Sequence, residues 1–250
     1  MTLATLEDAG LALGGRTVLD GIGLSLRAGE CVVLCGPNGA GKSSAIRALA
    51  GLLPLTTGRA TLGGVETRLL SARQRAAHRA YLPQDRRIAW NLPAIEVAAL
   101  GAPCLSGEEA LIRARAALDE ADAGHLADRG VAEMSGGERA RVLLARVLAA
   151  QAPLLLVDEP VAGLDPVAQL MVLERLKVRA AMGQGLLVSL HDLGLAGRYA
   201  DRVIVLDQGR LVADGPARDA LCEDVIRSVF NLSGRWVDGA DGPLLSLRRR

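Results

Sequence analysis

The chain has 250 residues, half of them hydrophobic, with 29 Lys and Arg against 28 Asp and Glu. That length and apolar content supply a sizeable core, and the near-neutral charge argues against a general nucleic-acid-binding surface. No apolar stretch reaches the ~18 residues needed to span a bilayer, and the N-terminus lacks a charged-then-apolar signal segment, so membrane contact is expected only through partners.

Residues 1 to 30 and 56 to 70 hold short alternating runs broken by glycine-rich turns, as in Thr57-Gly58-Arg59-Ala60-Thr61-Leu62-Gly63-Gly64, and predict an antiparallel β subdomain. Cys31-Val32-Val33-Leu34-Cys35 is a short apolar run of strand type. Its two cysteines would lie about 13 Å apart, too far for a disulfide. With Cys104 and Cys222 isolated, the set suits a reducing cytoplasm. Ser44 to Ala50 is helix-compatible, and between strand and helix stands Gly36-Pro37-Asn38-Gly39-Ala40-Gly41-Lys42-Ser43, the G-x-x-x-x-G-K-[ST] pattern. Glycines at 36, 39 and 41 let the backbone turn its N–H groups inward, and the helix N-terminus adds partial positive charge. Lys42 can reach the β- and γ-phosphates of a nucleotide, and the Ser43 hydroxyl can ligate Mg²⁺. Only Lys42 and Lys177 are lysines in an otherwise arginine-based set of cations. A compact ammonium fits between phosphates where a planar guanidinium does not, which accounts for lysine at position 42.

Residues 86 to 150 are mostly helical in pattern and rich in Ala and Arg. Within them Met134-Ser135-Gly136-Gly137-Glu138 opens a helix-compatible stretch running to Ala150. Its exposed N–H groups and serine hydroxyl make a second anion site without a lysine. Strands are predicted near 153 to 158, 185 to 190 and 202 to 206, the last entering a hairpin through Asp207-Gln208-Gly209. The first of these ends in Asp158 and Glu159, two carboxylates closing an apolar run that need a cation or protons to be tolerated there. Residues 221 to 250 look less regular, and Arg248-Arg249-Arg250 reads as a solvated tail. There is no internal repeat, low-complexity linker or second P-loop.

Three further matches complete an ordered set: Gln84 in Tyr81-Leu82-Pro83-Gln84, the turn Gly163-Leu164-Asp165-Pro166, and His191 after the strand-like Leu186 to Leu190. Over nearly all of residues 3 to 230 the chain resembles the ATP-binding subunit of an ABC transporter. The resemblance implies an α/β fold: a P-loop NTPase (RecA-like) core with an antiparallel β subdomain and an inserted helical subdomain. All of residues 1–250 would form a single ABC ATPase domain. Residues 1–85 and 151–230 would be the β subdomain and P-loop core, 86–150 the helical subdomain, and 231–250 a C-terminal tail. It further implies that Gly36, Pro37, Asn38, Gly39, Ala40, Gly41, Lys42, Ser43 and Ser44 hold ATP. Ser43, Gln84 and Asp158 would hold Mg²⁺, and Glu159, as base, would act with Gln84 and His191 in catalysis. Ser135, Gly136, Gly137, Glu138 and Asp165 would reach the ATP of a second copy. The expected assembly is a head-to-tail homodimer that closes on two ATP and reopens after hydrolysis. It would drive transmembrane permease subunits, with a substrate-binding protein and no nucleic acid, at the cytoplasmic face of the bacterial inner membrane.

Two departures stand out. The family commonly has an aromatic residue stacking on adenine where this chain has Leu13, so Leu13 and Val18 would pack on the base more weakly. Met134 and Glu138 replace the usual Leu and Gln. The segments Arg79 to Gln84, Val97 to Gly101 and Val229-Phe230-Asn231-Leu232 resemble importers of ferric siderophores, haem and cobalamin. Trp90 is read either as a core residue or as lying where a coupling helix docks, and His78 and His125 as surface residues. An importer of another small substrate is an alternative, as is a soluble ABC ATPase of DNA repair or translation. The latter usually carries coiled-coil or zinc-bearing insertions, or two nucleotide modules, and none is visible. Glu159 and His191 argue against a module that binds ATP without hydrolysing it.

Overall fold

The computed structural model describes residues 1–85, 88, 90–239 and 242–249. The chain opens with a long hairpin, β1 (Thr2–Leu13) and β2 (Arg16–Arg27), and then enters β3 (Cys31–Cys35), which is buried at every residue. The glycine-rich loop leads into α1 (Lys42–Leu49), followed by β4 (Thr57–Leu62), β5 (Val65–Glu66), α2 (Ala72–His78) and β6 (Arg79–Leu82). Three helices follow, α3 (Ala94–Ala99), α4 (Gly107–Glu120) and α5 (Gly136–Ala149). The chain then alternates through β7 (Leu154–Asp158), α6 (Pro166–Ala181), β8 (Gly185–Ser189), α7 (Leu193–Tyr199) and β9 (Arg202–Asp207). It ends with β10 (Arg210–Gly215), α8 (Ala217–Ala220), α9 (Glu223–Phe230), β11 (Leu232–Gly239) and β12 (Gly242–Arg249).

The central sheet has the order β10-β9-β3-β8-β7-β6 and is parallel except for the β9–β10 hairpin. Continuous apolar runs such as Leu154 to Val157 suit strands covered on both faces. Alternate residues feed two cores, as the period of two in a strand requires. Val33, Leu155, Val157, Leu186 and Val188 face the side packed by α5, α6 and α7. Val32, Leu34, Leu154, Leu156 and Leu187 face α1 and the antiparallel sheet β2-β1-β4-β5. Burial pushes the Cys31 and Cys35 thiols up to about 12, so both behave as small apolar groups.

Serines at 71, 106 and 135 open α2, α4 and α5 with reciprocal side-chain to backbone bonds, and Asp165 and Asp192 cap α6 and α7. Each such cap is worth about 1 kcal/mol. The helical segment is tied to the core by Arg179 of α6. Its guanidinium grips Glu120 at the end of α4 with bonds of 2.7 and 2.5 Å and also donates to the Leu148 carbonyl of α5. Trp90 is 73% exposed, which removes it from the core. Among the described residues no helix is long and apolar enough to cross a membrane.

Residues 231–250, expected as a tail, differ from that reading. They form the two-stranded β11–β12 hairpin, with Arg248 and Arg249 at the exposed end of β12; Arg250 lies outside the described residues. A lone hairpin is marginal in water, and this one gains its order by docking. Trp236 donates from Nε1 to the Leu221 carbonyl at 3.1 Å and lies so close to Gly197 that a Cβ there would sit 2.6 Å from the indole. Gly234 leaves room for the fully buried Ile226 of α9.

Replacing Arg179 with Ala would leave the half-buried Glu120 carboxylate without its bidentate partner. The expected loss is about 2 to 3 kcal/mol, between exposed and fully buried pairs, read as a lower denaturant midpoint. An unchanged midpoint would show that the helical segment does not depend on this clasp.

Candidate active site

The loop between β3 and α1 is shaped by contacts that tolerate no side chain. Gly36 has φ 152°, and a Cβ there would lie 2.2 Å from the Leu206 carbonyl of β9. Gly41, the residue capping α1, has φ 100° and would collide with the Val18 carbonyl at 2.9 Å. The first-turn N–H groups of α1 have no side-chain cap, so they face outward with the positive end of the helix dipole, which is an anion-binding arrangement. Lys42 is 5% exposed and its ammonium donates to the Gly36 and Pro37 carbonyls at 2.7 and 3.0 Å. Burial pulls its pKa below the ordinary lysine value, with Glu159 opposing that pull.

One cleft is lined by Val18, residues 38–44, Gln84 and Glu159, so the loop meets residues from three other parts of the chain. The meeting follows from strand order: β7 carries Asp158 and Glu159 at its carboxyl end, and β8 beside it carries His191 just beyond its own. Crevices at the carboxyl ends of parallel strands are where such sheets bind ligands. Glu159 is 7% exposed. Its Oε2 accepts from Gln84 Nε2 at 2.7 Å and its Oε1 meets His191 Nε2. Its backbone has φ 49°, a left-handed conformation costing about 1 to 2 kcal/mol in a residue with a Cβ.

Asp158 is fully buried. Its Oδ1 accepts from the Ser189 hydroxyl at 2.6 Å, whereas Oδ2, also buried, has no hydrogen-bond partner among the described residues. A buried carboxylate oxygen left this way is costly unless a cation satisfies it. Oxygen donors beside a phosphate cradle suit a hard divalent ion such as Mg²⁺, so the residues present fit that group. The Ser189 hydroxyl also accepts from the Glu159 N–H at 2.8 Å. Ser189 was not among the sequence candidates, although a hydroxyl inside the apolar run Leu186 to Leu190, two residues before His191, was a visible signal.

The remaining candidates lie at helix N-termini and do not line this cleft. Ser135 caps α5: its Oγ accepts from the Glu138 N–H at 3.3 Å, while Glu138 Oε2 accepts from the Ser135 N–H at 2.8 Å and Oε1 pairs with Arg129 at 3.0 Å. Glu138 is therefore engaged within its own chain. Gly136 and Gly137 are helical, and a Cβ at either would meet none of the described residues within 4 Å. Asp165 Oδ1 accepts from the Ala168 N–H at 3.0 Å. The five aromatic residues, Tyr81, Trp90, Tyr199, Phe230 and Trp236, are all absent from the cleft lining, and Leu13 is 45% exposed. His125 is exposed and His78 half-buried.

The sequence profile described as ABC transporter matches residues 19–162. The hemin import ATP-binding protein HmuV of Nocardia farcinica is 46% identical over 239 residues, covering 90% of this chain and 82% of that protein. The protein of the same name from Streptomyces coelicolor is 43% identical over 233 residues, covering 92% and 83%. A dimeric ATP-binding cassette in a post-hydrolysis state bound to ADP and Pi superposes with a TM-score of 0.77 at 26% identity, covering 86% of this chain and 99% of that one. With the profile spanning more than half of its length and such relatives nearly all of it, the chain belongs to the ABC transporter family, as an ATP-binding ATPase domain.

Proposed function

We propose that this chain powers a membrane importer of an iron complex, with haem as the cargo favoured by its relatives' names, through ATP-driven closure of a homodimer. The observation carrying the ATPase part is the convergence of the Lys42 loop, Gln84 and Glu159 on one cleft, with Asp158 and His191 bonded into the same cluster. Residues 36–44 bind the phosphate chain through backbone N–H groups, and the Lys42 ammonium turns from the loop carbonyls to the β- and γ-phosphates. Ser43, Gln84 and Asp158 would hold the metal. Bound there, magnesium would supply positive charge to offset that of the phosphates. Glu159 orients the attacking water and accepts its proton, with Gln84 and His191 holding the carboxylate on either side. With no aromatic in the cleft, the base rests on Val18 and Leu13, and affinity comes chiefly from the phosphates.

Ser135, Gly136 and Gly137 act on the nucleotide of the second copy. Glycine costs about 1 kcal/mol against alanine inside a helix, and none of the described residues occupies the space a Cβ would take at either position. A close approach from outside the chain explains both glycines. Glu138 supports this turn through its bond to the Ser135 N–H, and Asp165 sets the start of α6 toward the same interface. The partners are permease subunits, joined by a substrate-binding protein, and the place is the cytoplasmic face of the inner membrane. The exposed Trp90 would face the permease.

Lys42→Ala is expected to weaken ATP binding by an order of magnitude or more in a fluorescent-nucleotide titration, since it deletes the one ammonium in the cleft. Glu159→Gln should keep ATP binding and lose at least ~10²-fold in turnover, with a dimer that persists on ATP in size-exclusion chromatography. Wild-type turnover in that variant would refute the base. For Gly137→Val, native folding and native ATP binding by the isolated chain are expected, with loss of the ATP-dependent dimer and of turnover. A variant that still dimerises and hydrolyses ATP at the native rate would remove the trans role. Copurification of a polytopic permease from gently solubilised membranes tests the importer, and recovery of the chain without any membrane protein would count against it.

A further inference from the structure

Ser189 places one hydroxyl between the two acidic residues of the site. It ends β8 with no exposed surface, in the middle of the sheet, paired with Asp158 of β7 on one side and Leu34 of β3 on the other. Its single proton goes to Asp158 Oδ1 at 2.6 Å, and its lone pair receives the Glu159 N–H at 2.8 Å. An ionised carboxylate can only accept and a backbone N–H can only donate, so the chemistry of the partners sets the sense of both bonds. The rest of β8 is Gly-Leu-Leu-Val, whose side chains could make neither bond.

We propose that Ser189 is a positioning residue for ATP hydrolysis, setting both the metal-holding and the water-activating carboxylate. By occupying Asp158 Oδ1 it leaves Oδ2 as the oxygen available to the cation. By catching the Glu159 N–H, which has left the strand ladder, it holds the left-handed turn at φ 49° that brings the Glu159 carboxylate between Gln84 and His191. The same β8 segment thus fixes Glu159 twice, through Ser189 at the backbone and through His191 at the carboxylate. Without the hydroxyl the buried Asp158 would lose its donor, and the Glu159 turn would lose the bond that holds it. This inference rests on the reading of Asp158 as the metal residue and Glu159 as the base.

The test uses the full chain with Ser189→Ala, Ser189→Thr and Ser189→Cys beside Asp158→Asn. Mn²⁺ binding is titrated by electron paramagnetic resonance in the presence of a non-hydrolysable ATP analogue, and nucleotide affinity is measured separately in chelator. Ser189→Ala should weaken Mn²⁺ binding by about 10- to 100-fold, the range for residues that orient metal-holding groups. It should lower kcat while leaving chelator-side nucleotide affinity unchanged. Ser189→Thr, which keeps the hydroxyl, should recover most of both losses. Ser189→Cys, a near match in size with a weak donor, should behave like Ala and supplies the measurement if the Ala variant does not fold. Native Mn²⁺ affinity in the Ala or Cys variant, with loss in Asp158→Asn, overturns the role of Ser189 alone. So does a Thr variant as impaired as Ala, which would make the effect one of packing. Native Mn²⁺ affinity in Asp158→Asn as well would instead remove the metal assignment on which the inference stands.

Discussion

The parallel pairing of β7 with β8 is the constraint on which the chemistry of this chain depends. Their register runs from Leu154 opposite Gly185 to Asp158 opposite Ser189, so four apolar pairs precede the first polar one. A slip of one residue would exchange the two core faces of β7 and expose its leucines to the wrong layer. The apolar pairs therefore hold the polar pair in place. The carboxylates can be buried at the strand end because the leucines and valines behind them cannot move. On the other side of β8, the pairing with β3 sets the Lys42 loop against the same edge. Two registers, both dictated by apolar packing, bring together groups that lie more than a hundred residues apart in the chain.

The helical segment joins this core through the apolar face of α5, and polar bonds add to that packing. Arg179 reaches from α6 to the ends of α4 and α5, and the N-termini of α5 and α6 are fixed by their caps. Those caps matter beyond stability. A helix N-terminus can present N–H groups to an anion only if its first turn is held open in one conformation. The Ser135 and Glu138 exchange does this for α5 while leaving the faces of Gly136 and Gly137 bare.

Local chemistry was the part most legible in the sequence. The glycine-rich loop, the apolar strand ending in Asp158 and Glu159 and the β9–β10 turn each announce themselves within ten residues, and each lies where its pattern predicts. What escaped was set by tertiary contact. Ser189 looks like an ordinary strand serine until β7 is laid beside it. The β11–β12 hairpin alternates weakly, with Gly234 and Gly239 inside it, and owes its order to Trp236 docking against Gly197 of α7 and the Leu221 carbonyl and to Ile226 of α9 packing on Gly234. Glu138 and Asp165 were expected as site residues, and their capping bonds were not legible, because a cap is visible only once the helix start is known to the residue.

The absence of aromatics from the cleft has a consequence for how the chain would be controlled. Stacking on a base would add affinity that is the same in the triphosphate and the diphosphate. On the proposed reading, with Val18 and Leu13 in that role, binding would lean on contacts to the phosphates, above all on Lys42, on Asp158 through a bound metal, and on the glycines of a second copy. The γ-phosphate would touch the largest share of these groups, so its loss would remove a larger fraction of the total binding energy than where a stacked ring remained. A site built this way distinguishes ATP from ADP more sharply at the expense of overall affinity. That bias suits a dimer whose two states differ by one phosphate, because a ligand shifts such an equilibrium only by its differential affinity for the two states.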